Sequence, residues 1–152
     1  MWRRRTRARR RPRRTRSEEQ HYQAHKEAAR QLIHTRLAHH NAHYQLHWRR
    51  VAVKAQRGRW GSCSSLGNLN FNYRLLFLPE HLREYIIVHE LCHLRELNHG
   101  PRFWALVAER CPDYRAARQE LATLDRSGLS LRLGEERWLT DNWSAVFPAR
   151  SM

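Results

Sequence analysis

Between residues 89 and 99 the chain reads HELCHLRELNH, and few segments restrict what a protein can fold into so tightly. Its first five residues spell His-Glu-x-x-His. On a helix, residues four apart lie about 40° apart around the axis, so His89 and His93 can each aim one imidazole nitrogen at the same ion. Glu90 stands beside His89, where a carboxylate can serve a metal-activated water without itself binding the metal. With 11 histidines in 152 residues, composition alone yields roughly 0.06 chance copies of this pattern. The spacing therefore predicts a helix that carries a metal site.

A third histidine, His99, follows. Six residues beyond His93 correspond to about 600° of helix, which would turn His99 some 120° away from the other two. The helix must end before it. Asn98 tolerates the left-handed conformation, Gly100 follows, and Pro101 suits the first position of a new helix. His99 then falls in the bend and can swing back toward the ion.

The length suits a single domain with a real core. The net charge of +15 is unevenly spread, since residues 3–16 alone contain ten arginines. Residues 1–16 are too poor in apolar groups to order themselves and are expected to form a disordered tail. Such a tail is a candidate nucleic-acid contact through phosphates, against the plainer alternative of a solvated extension. Cys63, Cys92 and Cys111 show no Cys-x-x-Cys spacing, which argues against a disulfide scaffold or a cysteine zinc knuckle and for a reducing compartment. No run of eighteen apolar residues occurs, so no membrane association and a cytoplasmic location are expected.

Ser17 with Gln20 has the form of a capping box, predicting a helix from Ser17 with Ala24, Ala28, Leu32 and Ala29, Ile33, Leu37 along a broad apolar stripe. His39, His43 and His47 share helical spacing but lack carboxylate or sulfur support, so a polar helix face is preferred to a second metal site. From Val51 the period shortens. A strand is followed by a hairpin whose arms, Trp60–Cys63 and Leu69–Phe71, flank a Gly67-containing turn, so a small antiparallel sheet is expected. Leu69 and Phe71 share one face, with Asn68, Asn70 and Asn72 on the other.

Pro79 opens the metal-site helix, and Glu80 suits its first turn. Leu82, Ile86, His89 and His93 form one stripe, while Tyr85, Ile87, Val88, Leu91 and Leu94 make the other faces apolar, so this helix should be central. A second helix carries Phe103, Trp104, Leu106 and Val107. Pro112 and Asp113 open a third, through Tyr114, Ala117, Leu121 and Leu124. The domain is expected to span residues 17–125, with residues 126–152 a C-terminal extension whose order the pattern does not decide.

RWGSCSSLGNLNFNYRL from Arg59, Pro79, HELCHLRELNHGPRFW from His89 and CPDY from Cys111 together resemble the YgjP-like metallopeptidase family, relatives of the SprT and WLM zincins. The resemblance runs from about Val51 to Leu121, leaving the arginine tail and the stretch after Asp125 outside it. It implies an α+β, zincin-like domain with a small antiparallel sheet packed on a buried active-site helix and flanked by further helices. It also implies Zn2+ held by His89, His93 and His99, with Glu90 as catalytic base. Gly100 stands where many relatives have serine, which leaves the ligand set intact.

The metzincin class needs glycine at position 96 and a methionine turn, but here position 96 is Glu96 and the only methionines are Met1 and Met152. In a gluzincin-type site Glu109 or Glu120 would be the third ligand; the turn chemistry favours His99. Trp60, Gly61, Ser62 and Cys63 are read first as packing under the helix, and alternatively as an edge along which an extended peptide pairs. Tyr114 is read as a core tyrosine, with an oxyanion role as the sharper alternative.

The expected function is zinc-dependent hydrolysis of a peptide bond in a protein or peptide substrate, with Glu90 moving the proton. Two other functions compete. One is phosphoanhydride (nucleotide) hydrolysis at the same site, and the other is a nucleic-acid-binding module with structural zinc, against which Glu90 argues.

Overall fold

The computed structural model describes residues 13–128, which contain four helices and three strands. The first helix, α1 (Arg16–Tyr44), starts earlier than Ser17. Thr15 is the N-cap: Glu18 N–H donates to Thr15 Oγ1 at 3.2 Å and Thr15 N–H donates to Glu18 Oε2 at 2.7 Å. Both Thr15/Glu18 and Ser17/Gln20 fit the capping-box pattern. A carboxylate in the first turn also meets the positive end of the helix dipole, which an amide does not. Glu18 further accepts from Arg57 at 2.6 Å.

Of the two apolar rows on α1, only Ala29, Ile33 and Leu37 turn inward, continued by His40 and Tyr44, while Ala24 and Ala28 are exposed. The helix is pinned along its length. Tyr22 O–H donates to the Val53 carbonyl at 3.1 Å, and Tyr44 O–H donates to the Leu106 carbonyl at 2.6 Å. The histidine face behaves as a polar surface: His43 Nε2 lies 2.7 Å from a Glu109 carboxylate oxygen, and Arg110 donates to His39 at 3.0 Å.

Strands β1 (Arg50–Lys54), β2 (Gly61–Cys63) and β3 (Asn68–Asn72) form one sheet in the order β1-β3-β2. The β2–β3 hairpin is antiparallel as expected, but β1 joins β3 in parallel, so the sheet is mixed. The chain between β1 and β3, residues 55–67, contains β2 and is long enough for the crossover that parallel pairing requires. The register sets Val51 beside Leu69 and Val53 beside Phe71, aligning the apolar residues of both strands on one face. Gly67 takes φ +80° in the hairpin turn, a conformation that a side chain would strain. Asn72 is buried, and its amide donates to the carbonyls of Gln56 and Arg59 at 2.8 and 3.0 Å.

A 3-10 turn, Tyr73–Phe77, leads into α2 (Glu80–Cys92), capped by Pro79. Leu82, Ile87, Val88, Leu91 and Cys92 are fully enclosed, so α2 is the central helix that its all-round apolar pattern requires. Helices α3 (Pro101–Arg110) and α4 (Tyr114–Arg126) close the other side through Phe103, Val107, Tyr114, Ala117, Leu121 and Leu124. Each fully buried Leu, Ile or Phe contributes about 1.5–3 kcal/mol. No helix among the described residues is long and apolar enough to cross a membrane. The tail expected over residues 1–16 and the extension expected over 126–152 lie mostly outside the described residues; at their inner ends Thr15 caps α1, Arg16 opens it and Arg126 closes α4.

One polar cluster ties α1 to α2. Glu84 accepts from Arg36 at 2.8 and 2.7 Å and is bonded by His40 Nε2, whose other ring nitrogen faces Arg110 Nε at 3.4 Å. Burial raises the Glu84 carboxyl, but the bonds from His40 and Arg36 outweigh it and bring the group down to about 2. A carboxyl lower in the folded chain than in the unfolded one contributes stability above its unfolded value, and that contribution disappears as pH falls toward about 2. Glu84→Gln should therefore cost roughly 2 kcal/mol at pH 7, discounted for partial solvent access. The urea-midpoint difference from wild type should shrink steadily between pH 4.5 and pH 3. A difference independent of pH would refute this assignment.

Candidate metal centre

The geometry of the site follows from where α2 stops. The helix ends at Cys92, and His93 is its C-cap, still in right-handed geometry at φ −64°, ψ −17°. His93 N–H donates to the His89 carbonyl at 3.3 Å, so the one-turn relation of the two histidines survives to the helix end. The chain then leaves through tightened turns: Leu94 N–H to the Leu91 carbonyl and Arg95 N–H to the Cys92 carbonyl, both at 3.1 Å. The left-handed residue foreseen at Asn98 is not used. Gln45 alone among the described non-glycine residues has positive φ, and the turns after His93 reverse the chain without one. Gly100 caps α3 and Pro101 is its first residue, as anticipated.

This turn brings His99 back. The Nε2 atoms of His89, His93 and His99 form a triangle with edges of 3.1, 3.1 and 3.2 Å. Two nitrogens bound tetrahedrally to one zinc at about 2.0–2.1 Å stand roughly 3.3 Å apart, so the donor set fits such an ion in number, type and size. Among the described residues this is the one group of His, Cys, Asp and Glu side chains gathered closely enough to hold a metal. Glu109 and Glu120 are engaged elsewhere, with His43 and with His81 at 2.8 Å, which leaves the gluzincin-type arrangement without its ligand.

The far ring nitrogens orient the imidazoles. His93 Nδ1 donates to the Glu96 carbonyl at 2.9 Å, which leaves the Nε2 lone pair free to coordinate. The Tyr85 hydroxyl lies 3.1 Å from His89 Nδ1, one helical turn earlier on the same face. Burial first, then the neighbouring His93 and His99, lowers His89 to about 3; His93 is lowered mainly by burial, against the Glu96 bond. Neutral imidazole is the form that binds a metal.

Aromatic rings from α3 wall the site. Phe103, fully buried, stacks on His93 at 4.3 Å and 18° and meets His89 edge-on at 4.9 Å. Trp104 stacks on His99 at 5.7 Å and 26°. Tyr114 is buried and stacked on Trp104 at 4.9 Å and 12°, the packing role favoured for it. In the sequence pattern Tyr85, Phe103 and Trp104 register only as helix-forming apolar residues. Tyr85 could have been found from its four-residue spacing to His89; the ring contacts of Phe103 and Trp104 depend on the turn at residues 93–100.

Glu90, next to His89 on α2, packs against the sheet. It is only 7% exposed, and burial pushes its carboxyl up to about 8 against the lowering field of Arg59. Beneath it lies Gly61 of β2. A methyl group built on Gly61 would stand 2.8 Å from Glu90 Cγ, 3.0 Å from Oε1 and 3.1 Å from the Asn70 carbonyl oxygen. Only glycine leaves room for the glutamate. The packing role expected for Trp60–Cys63 thus falls directly against Glu90, with Trp60 Nε1 donating to Asp125 of α4 at 3.1 Å.

No curated protein matches the chain. Its fold is similar to the crystal structure of the metallopeptidase zymogen of Pyrococcus abyssi abylysin. That similarity has a TM-score of 0.53 and 23% identity, over 62% of this chain and 93% of that one. The sequence model of the YgjP-like metallopeptidase domain matches residues 3–124, reaching well upstream of Val51 to take in α1 and the arginine tract. With its histidine triangle at the end of a buried helix and that match along most of its length, the chain belongs to the YgjP-like metallopeptidase family.

Proposed function

We propose that this chain is a zinc-dependent metallopeptidase in which His89, His93 and His99 hold the ion and Glu90 is the general base. The observation that carries this reading is the Nε2 triangle of 3.1–3.2 Å edges, with the His93 ring set by the Glu96 carbonyl and aimed at a common point. Three neutral imidazoles leave a divalent ion its full charge, and the ion when bound supplies a Lewis acid that acidifies water and polarises a carbonyl oxygen.

The rest falls to the chain's own groups. Glu90, held in a nearly dry niche against Gly61, takes the proton of the attacking water and passes it to the leaving amine nitrogen. Burial pushes the carboxyl up, and a divalent charge held by the histidines would favour its ionised, proton-accepting form. Strand β2 is an edge of the sheet, so a substrate paired along it in extended form runs past Glu90.

The test sets a casein-type substrate beside a nucleoside triphosphate. Purified protein should carry about one zinc per chain, and chelation should abolish peptide hydrolysis, with zinc restoring it. Nucleotide hydrolysis without peptide hydrolysis, or full activity in the chelated protein, would overturn the proposal.

A further inference from the structure

Resting on the reading that the three histidines hold a metal, we infer that Trp104, clamped by Arg118, is the positioning residue for His99. It does the work that a hydrogen bond to the far ring nitrogen does for the other two histidines. His93 Nδ1 bonds the Glu96 carbonyl and His89 Nδ1 faces the Tyr85 hydroxyl, but among the described residues His99 Nδ1 has no such partner. His99 is also the exposed member of the triad and lies between helices rather than on one. Without Trp104, the edge-on contact with Phe103 at 5.0 Å is what remains against its ring.

Trp104 restrains it twice. The indole N–H donates to the His99 backbone carbonyl at 3.1 Å, and the indole plane stacks on the imidazole at 5.7 Å and 26°. One contact fixes the backbone from which the ring hangs; the other fixes the plane in which it lies. Trp104 is itself held in place, because it sits in the first turn of α3 with its backbone N–H donating to the Gly100 carbonyl at 3.2 Å. Helix α4 holds its ring from outside. Tyr114 stacks on it at 4.9 Å, and the Arg118 guanidinium, one helical turn further on, lies over it at 4.3 Å from the ring centre. The position of His99 is therefore set from α4 through the indole.

Removing a group that orients a metal ligand typically weakens metal binding by about 10–100-fold. Trp104→Phe keeps an aromatic ring and loses the N–H. It should weaken zinc about tenfold in a chelator-competition titration while leaving the melting temperature of the zinc-free protein within a few degrees of wild type. In the cobalt-loaded protein, the visible absorption of a tetrahedral site should lose intensity as His99 disengages. Arg118→Lys, at an exposed position on α4, keeps the positive charge that acts on His89 but loses the flat guanidinium over the indole, and should weaken zinc roughly threefold by loosening the clamp. Zinc affinity within twofold of wild type in folded Trp104→Phe, with an unchanged cobalt spectrum, would show that Trp104 is packing only. Should that variant not fold, Arg118→Lys decides, and wild-type affinity there overturns the inference. A wild-type chain that binds no zinc would instead overturn the histidine site itself.

Discussion

Glu90→Gln is expected to keep zinc bound and the fold intact while lowering kcat for peptide hydrolysis by roughly 10²–10⁴-fold, the usual contribution of a positioned acid–base group. Glutamine has the same shape, so the niche above Gly61 stays filled and no cavity opens. It takes up no proton from water and returns none to the amine. The glutamate is only 7% exposed and burial pushes its carboxyl up to about 8, so at pH 7 the zinc-free chain must take up a proton there on folding, a cost that glutamine does not carry. The melting temperature of the zinc-free protein should therefore stay level or rise. Metal content, melting temperature and kcat measured on one preparation separate these effects. Turnover at the wild-type rate with zinc present would remove Glu90 from the chemistry.

Gly61→Ala should be nearly as damaging, although the atoms its added methyl would meet belong to Glu90 and Asn70 and not to the three histidines. The added methyl meets Glu90 Cγ at 2.8 Å and the Asn70 carbonyl at 3.1 Å, so it has the glutamate on one side and sheet backbone on the other. The strand is held by its pairing to β3, which makes the glutamate the group that yields. A displacement of about 1 Å in a reacting group can cost around 10²-fold, and a fall in kcat of that order is expected with zinc affinity unchanged. A double-mutant cycle identifies the route. In the Glu90→Gln background the same alanine should cost little further, because the proton transfer it disturbs is already gone. Equal losses in both backgrounds would mean that Gly61 acts on the fold rather than through Glu90.

Local chemistry made much of this legible in advance. The helix-forming stripe of α2, the Gly100-Pro101 start of α3, the Pro112-Asp113 break before α4 and the hairpin around Gly67 all rest on short-range effects, and the structure has each of them. Where two local patterns competed, as with the Thr15/Glu18 and Ser17/Gln20 caps, charge at the helix terminus and an ion pair from Arg57 selected one. The parallel pairing of β1 with β3 could not be read, because it joins segments separated by a whole hairpin. The motif resemblance likewise began too late in the chain. The helix α1 and the arginine tract lie within the family match, upstream of the motifs that carry the resemblance.

By itself the sequence determined which three histidines could gather and the need for a turn before His99, since residue type and helical geometry are local properties. Only the tertiary structure decided what holds those groups in place. The hydroxyl of Tyr85, the carbonyl of Glu96, the rings of Phe103 and Trp104 and the space above Gly61 act on residues brought to them by chain reversal and sheet packing. Contacts of that kind depend on where elements meet in space, which no spacing along the chain encodes.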